Sequence, residues 1–95
     1  MGILTNMVTE GAYKDRDVRI KGLGRKVVLV SRFLGLEQVL DKKTVDHIEL
    51  LDKAQGVLDF VGMNHYLVAV YFKNGKKCII RIEYYIYQRL NEVLF

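Results

Sequence analysis

The chain has no proline at all and a single cysteine among its 95 residues. One cysteine excludes an intrachain disulfide framework and any cysteine-based zinc site built within one chain. A reducing, cytoplasmic setting is therefore the default expectation. No run approaches the roughly 18 apolar residues of a membrane-spanning helix. The first residues, Met1-Gly2-Ile3-Leu4-Thr5-Asn6, carry neither a basic leader nor an apolar signal core. Gly2 invites a myristoylation reading, but that motif wants Ser or Thr where this chain has Asn6.

What is present describes one small globular domain. Hydrophobic residues make up 51% and charged residues 27%, a composition far from that of disordered chains. A chain of this size buries about 60–65% of its unfolded surface, enough for a single core. The net charge of +4 is uneven. Lys14, Arg16, Arg19, Lys21, Arg25, Lys26 and Arg32 crowd the first third. Asp41, Asp46, Glu49, Asp52 and Asp59 make the middle acidic, and the last third is basic again.

The clearest local signal lies in the last thirty residues. Asn74-Gly75 stands between two β-rich runs, Tyr66–Phe72 and Lys77–Glu83. A two-residue turn would set Val68 against Arg81 and mix charges with aliphatics on one face. A three-residue loop, Lys73-Asn74-Gly75, with Gly75 in the left-handed position of a bulged type I turn, sets Val70 against Cys78, Val68 against Ile80 and Tyr66 against Ile82. That register separates apolar from polar better and is the one expected. Ile86, Leu90, Val93 and Leu94 then fall on one stripe of a helix from Tyr84 to Phe95 that covers the hairpin. The preferred N-cap residues are missing from its start.

Upstream, Ile3, Leu4, Met7 and Val8 repeat at helical spacing before Gly11 and predict a short helix. Asp17–Lys21 alternates as a strand, and Arg25–Val30 reads as an inner strand, the two joined around Gly22-Leu23-Gly24. Leu36, Val39 and Leu40 predict a short helix from about Leu34 to Leu40. Thr44–Leu51 fits both periods, and its β-branched residues favour a strand. Asp52–Gly62 reads as a loop holding a short strand at Val57–Phe60. The sum is an α+β fold, an antiparallel sheet closed by the C-terminal amphipathic helix.

From Thr44 onward, Val45-Asp46-His47-Ile48-Glu49-Leu50-Leu51-Asp52, then Val68-Ala69-Val70-Tyr71-Phe72-Lys73-Asn74-Gly75-Lys76-Lys77, then Ile86-Tyr87-Gln88-Arg89-Leu90 resemble small bacterial proteins with a pleckstrin-homology-like domain. The resemblance implies a half-barrel sheet closed by the helix, and a binding scaffold without a particular ligand. In that family the first hairpin loop binds phosphorylated head groups, and Lys21-Gly22-Leu23-Gly24-Arg25-Lys26 looks similar. Lys21, Arg25 and Lys26 are accordingly the candidate anion-binding residues, since glycines bare backbone N–H groups beside the three cations.

Other candidates are read against plainer roles. Arg16, Arg19 and Arg32 beside Tyr13 widen the basic surface, but no RNA-binding aromatic signature or recognition helix accompanies them, so nucleic acid is disfavoured. Asp46, His47, Glu49 and His65 do not make a convergent ligand set in a strand, so neither a metal nor another cofactor is expected. Cys78 falls on the apolar hairpin face and reads as a small buried hydrophobe, not a nucleophile. Leu67, Tyr71 and Ile79 add apolar area to the opposite sheet face, with Tyr84, Tyr85 and Tyr87 nearby in sequence, and are the candidate partner-binding residues. No nucleophile–base or paired-carboxylate set assembles, so the chain reads as a noncatalytic interaction module. It is expected to bind a protein partner or itself through exposed sheet. An anion-binding domain for lipid head groups or nucleic acid is the alternative, with peripheral membrane contact as its corollary.

Overall fold

The computed structural model describes residues 6–54 and 65–95. Seven strands and one helix follow in order: β1 (Met7–Gly11), β2 (Asp17–Lys21), β3 (Lys26–Val30), β4 (Glu37–Leu40), β5 (Val45–Ala54), β6 (His65–Phe72), β7 (Lys77–Glu83) and α1 (Tyr84–Leu94). The strands make one antiparallel sheet in the order β4-β3-β2-β1-β7-β6-β5, curled into a half-barrel, and α1 packs on its inner surface. The α+β class and the closing helix stand as expected. Among the described residues, no helix is long and apolar enough to cross a membrane.

The β6–β7 hairpin has the bulged register. Val70 pairs with Cys78, Val68 with Ile80 and Tyr66 with Ile82. Phe72 N–H donates to Lys76 O at 2.8 Å and Gly75 N–H to Phe72 O at 3.0 Å. Gly75 sits at φ +90°, where a side chain would be strained. Tyr66, Val68, Val70, Phe72, Cys78, Ile80 and Ile82 are all buried. They join Val8, Val18, Val27, Leu29, Leu40 and Val45 in one cluster, and Ile86 and Leu90 of α1 complete it. Lacking its own N-cap side chain, α1 is anchored from a distance: Glu83 N–H donates to Asn6 Oδ1 and Asn6 Nδ2 to Glu83 Oε2, each at 2.9 Å.

Two expected helices are strands instead. Met7–Gly11 is β1, with a register shift between Val8 and Glu10 where it pairs with β7. Met7 and Val8 precede the shift and pair in regular register with Arg81 and Ile80, so they face opposite sides; both are nevertheless buried, Val8 in the core cluster and Met7 outside it, and that adjacent burial imitates helical spacing. Ile3 and Leu4 lie outside the described residues. Glu37–Leu40 is β4, because the preceding segment closes as a loop: Ser31 N–H donates to Leu36 O at 2.8 Å and Gly35 N–H to Ser31 O at 3.1 Å. Leu36 is exposed rather than part of a helical core face. The Thr44–Leu51 strand is present as β5 and runs on to Ala54, replacing the loop expected from Asp52. Its two register shifts, between Val45 and His47 and between Leu50 and Asp52, account for the mixed period. The strand expected at Val57–Phe60 lies outside the described residues.

Candidate functional site

The sheet face chosen from sequence is less available than expected. Leu67, Tyr71 and Ile79 are half-buried, and Ala69 between them is fully buried. The Tyr71 ring stacks on His47 at 4.3 Å with 13° between planes, and the Lys77 ammonium lies 5.0 Å from its centroid. Both cross-strand neighbours of Tyr71 therefore cover it. His47 also holds Asp46 Oδ2 at 2.6 Å through Nδ1. His65 is buried at the far end of β6 and does not join them. Among the described residues no three His, Cys, Asp or Glu side chains gather as metal ligands.

Lys21 and Lys26 are cross-strand partners closing the β2–β3 hairpin, and Arg25 stands in its turn. Lys21 Nζ contacts the Glu37 carboxylate, which neutralises part of the local charge. Arg25 N–H donates to Gly22 O at 3.2 Å, so that donor is already used. Leu23 at the tip is 99% exposed.

Cys78 is fully buried, and desolvation pushes its thiol pKa up to about 12. Partial burial and the neighbouring Glu83 carboxylate raise the Tyr85 phenol above its ordinary range. Neither group is activated for chemistry near neutral pH.

A different constellation emerges from the fold. It uses the β1–β2 connection (Ala12–Arg16), the β3–β4 connection (Ser31–Leu36) and the β6–β7 turn (Lys73–Lys76). Tyr13 holds them together. It adopts φ +63°, a left-handed conformation rare for a bulky residue, so the surrounding contacts must fix it. Its ring meets Phe72 edge-on at 5.4 Å, and its hydroxyl donates to Gln38 Oε1 of β4 at 3.2 Å. The Arg16 guanidinium sits 4.7 Å from the ring centroid and Lys76 Nζ 5.4 Å from it, both in cation–π range.

Beside this, Lys14, Asp15, Arg16, Ser31, Arg32 and Phe33 line an open concavity of about 470 Å³. Arg32 Nε pairs with Asp17 at 3.0 Å. Lys14, Arg16 and Lys76 have no ion-pair partner among the described residues. Lys73 extends the charge: its backbone N–H donates to Thr44 O at 2.9 Å and its ammonium to Lys42 O at 2.7 Å, which brings Lys42 and Lys43 alongside.

The β3–β4 connection carries apolar side chains into water. Phe33 is 97% exposed, Leu34 75% and Leu36 53%. Their presentation is fixed, since Ser31 Oγ accepts the Leu34 N–H at 3.3 Å inside the loop already closed by Ser31 and Leu36. The sequence pattern puts Arg16, Arg32 and Tyr13 on a basic surface but hides the apolar tip, because Leu36 shares helical spacing with Val39 and Leu40. Nothing local signals that Lys76 meets Tyr13 from the other end of the chain. No protein-family model, curated protein or solved structure matches this chain.

Proposed function

We propose that this chain is a noncatalytic interaction module that docks on an anionic macromolecular surface through the β1–β2, β3–β4 and β6–β7 connections. The observation that carries this is the pair of cations Arg16 and Lys76 on the Tyr13 ring, with Lys14 beside Arg16 in the adjoining concavity and an apolar tip that stands outside the core. Asp15 lines the concavity and Asp17 pairs with Arg32, so the surface is mixed with cations in excess, and such an excess raises the local concentration of an anionic partner and its rate of encounter. A half-barrel closed by a helix after its last strand supports a pleckstrin-homology-like fold as part of the same reading. That resemblance assigns anion binding to the first hairpin loop. With β1 a strand, the first hairpin is β1–β2, so the implied loop is Ala12–Arg16 rather than Lys21–Lys26.

The test is elution from heparin along a salt gradient. Retention should fall steeply with salt, because exposed charges are screened beyond about 10 Å at 0.1 M. Lys14→Glu with Lys76→Glu should abolish it, and Lys21→Glu, Arg25→Glu and Lys26→Glu together should weaken it only slightly. Absent retention, or the reverse order of the two variants, overturns the reading.

A second reading, a protein partner or second copy added to the sheet, is favoured by one feature. Among the described strands β5 pairs only with β6, so its other edge is open beside Leu50 and Leu51, which are 39% and 43% exposed. Its two bulges and its charges are devices that blunt strand addition. Sedimentation showing a concentration-dependent dimer that Leu50→Lys dissolves would favour it over the loop surface.

A further inference from the structure

The β2 strand is paired along its whole length on one side only. Asp17–Lys21 meets β3 residue by residue, but its pairing with β1 ends at Met7 and Asp17. The ladder stops there because of Asn6. Its carbonyl accepts the Val18 N–H at 2.7 Å, yet it adopts φ +58°, a left-handed conformation that does not continue a strand. Backbone groups alternate sides along a strand, so Ile20, like Val18, directs its N–H and C=O away from β3. Among the described residues nothing pairs with them. They open on a concavity of about 530 Å³ lined by β2, Asn6 and the first turn of α1 at Tyr85 and Ile86.

The side chains along this edge prescribe an occupant. Val18 and Ile20 face the core, and Ile86 lines the same gap. Arg19 and Lys21 point to the outer face and are exposed. Their contacts with Asp17 and Glu37 are surface ion pairs, weak enough for a new carboxylate to share or displace. Opposite charges directly across a strand pair are favourable and like charges unfavourable. The edge therefore selects an acid opposite Arg19, an aliphatic residue opposite Ile20 and an acid opposite Lys21. A second copy does not fit. Two β2 strands paired about Ile20 would set Arg19 against Lys21, and the sequence holds no apolar residue flanked on both sides by acids.

We propose that β2 takes up an acidic peptide as an added antiparallel strand, its acid–aliphatic–acid centre seated on Arg19, Ile20 and Lys21. The aliphatic residue exchanges both backbone hydrogen bonds with Ile20 and lays its side chain toward Ile86. This site shares no lining residue with the concavity beside Phe33, and it does not depend on the anionic-surface reading.

A capped synthetic peptide centred on Glu-Val-Glu, titrated into the full chain and followed by backbone amide NMR, tests it. Amides of Val18–Lys21, Tyr85 and Ile86 should shift while those of Ala12–Arg16 and Lys73–Lys76 stay in place. Hydrogen exchange at Ile20 should slow by about tenfold or more at saturation. A Lys-Val-Lys peptide should lose at least about tenfold in affinity. Arg19→Glu with Lys21→Glu should reverse that preference, a gain that loss of folding cannot produce. N-methylation of the central Val removes the bond to Ile20 C=O without changing charge and should abolish binding. Equal binding by the N-methylated peptide, an unreversed preference, shifts centred on the three connections, or no shift at all overturns the inference. Binding that appears only when residues 1–5 are removed assigns the edge to the chain's own first residues. Broadening of β2 amides with protein concentration alone assigns it to a second copy. Either result also overturns the inference.

Discussion

Replacing Gly11 and Gly75 by alanine separates two causes of the same backbone conformation. Both residues have positive φ, +84° and +90°. A Cβ at Gly75 meets nothing within 4 Å, so Gly75→Ala carries only the left-handed penalty, about 1–2 kcal/mol. A Cβ at Gly11 would lie 2.4 Å from Lys77 O and 3.1 Å from the Cα of Cys78, both backbone atoms of a paired strand. Neither can swing away as a side chain would. Lys77 O also accepts Ala12 N–H at 2.9 Å, a bond worth about 1 kcal/mol that the displacement would weaken. With roughly 1–3 kcal/mol for overpacking, Gly11→Ala should cost on the order of 4 kcal/mol. That is a large share of a typical net stability of about 5–15 kcal/mol. In urea denaturation, with m of about 1.5 kcal/mol/M, the midpoint should fall by roughly 2–3 M for Gly11→Ala and by about 1 M for Gly75→Ala. Gly11 is also the last residue before the Ala12–Arg16 connection, so its variant should lose heparin retention together with stability. Equal midpoint shifts for the two variants would refute the β1–β7 register from which the difference is worked.

Three further outcomes are expected. Leu90→Ala should destabilise the fold by about 2–5 kcal/mol, because Leu90 is fully buried in the cluster shared by α1 and the sheet; a loss below about 1 kcal/mol in the same urea assay would separate α1 from the core. Cys78 should react with thiol reagents at pH 8 far more slowly than in the denatured chain, since it is buried and its pKa is raised from 9.0 to about 12. The thiol is held neutral when folded, so its contribution to stability is complete below pH 9 and is lost as pH rises towards 12, a trend that Cys78→Ala should remove from the pH dependence of unfolding. Ser31→Ala should lower the unfolding free energy by about 1 kcal/mol or less in the same urea assay, because its hydroxyl accepts a single exposed bond, from the Leu34 N–H.

The legible parts of the fold were those where local chemistry and period agree. Asn74-Gly75 allowed only one register that sorts Cys78, Ile80 and Ile82 from Lys77 and Arg81, and the structure has it. The Ile86–Leu90 stripe gave the helix, with its uncapped start. The illegible parts are the irregular strands. Burial of both neighbours Met7 and Val8 made β1 resemble a helix, and two bulges in β5 blurred its period. The candidate site was only half legible for a related reason. Lys14, Arg16 and Arg32 are visible as a basic tract, but their relation to Lys76 depends on β1 pairing with β7, a contact between the two ends of the chain. Phe33 and Leu34 carry no polar neighbour pattern that marks them as exposed. Only the loop closure by Ser31 and Leu36 puts them in water.

The most direct measurement is a backbone amide NMR titration of the full chain with a heparin oligosaccharide. Resonances of Ala12–Arg16, Ser31–Leu36 and Lys73–Lys76 should broaden or shift first, while those of Gly22–Lys26 and of β5 stay in place. Perturbation centred on Gly22–Lys26 or along β5, with the three connections silent, would contradict the assignment of the binding surface.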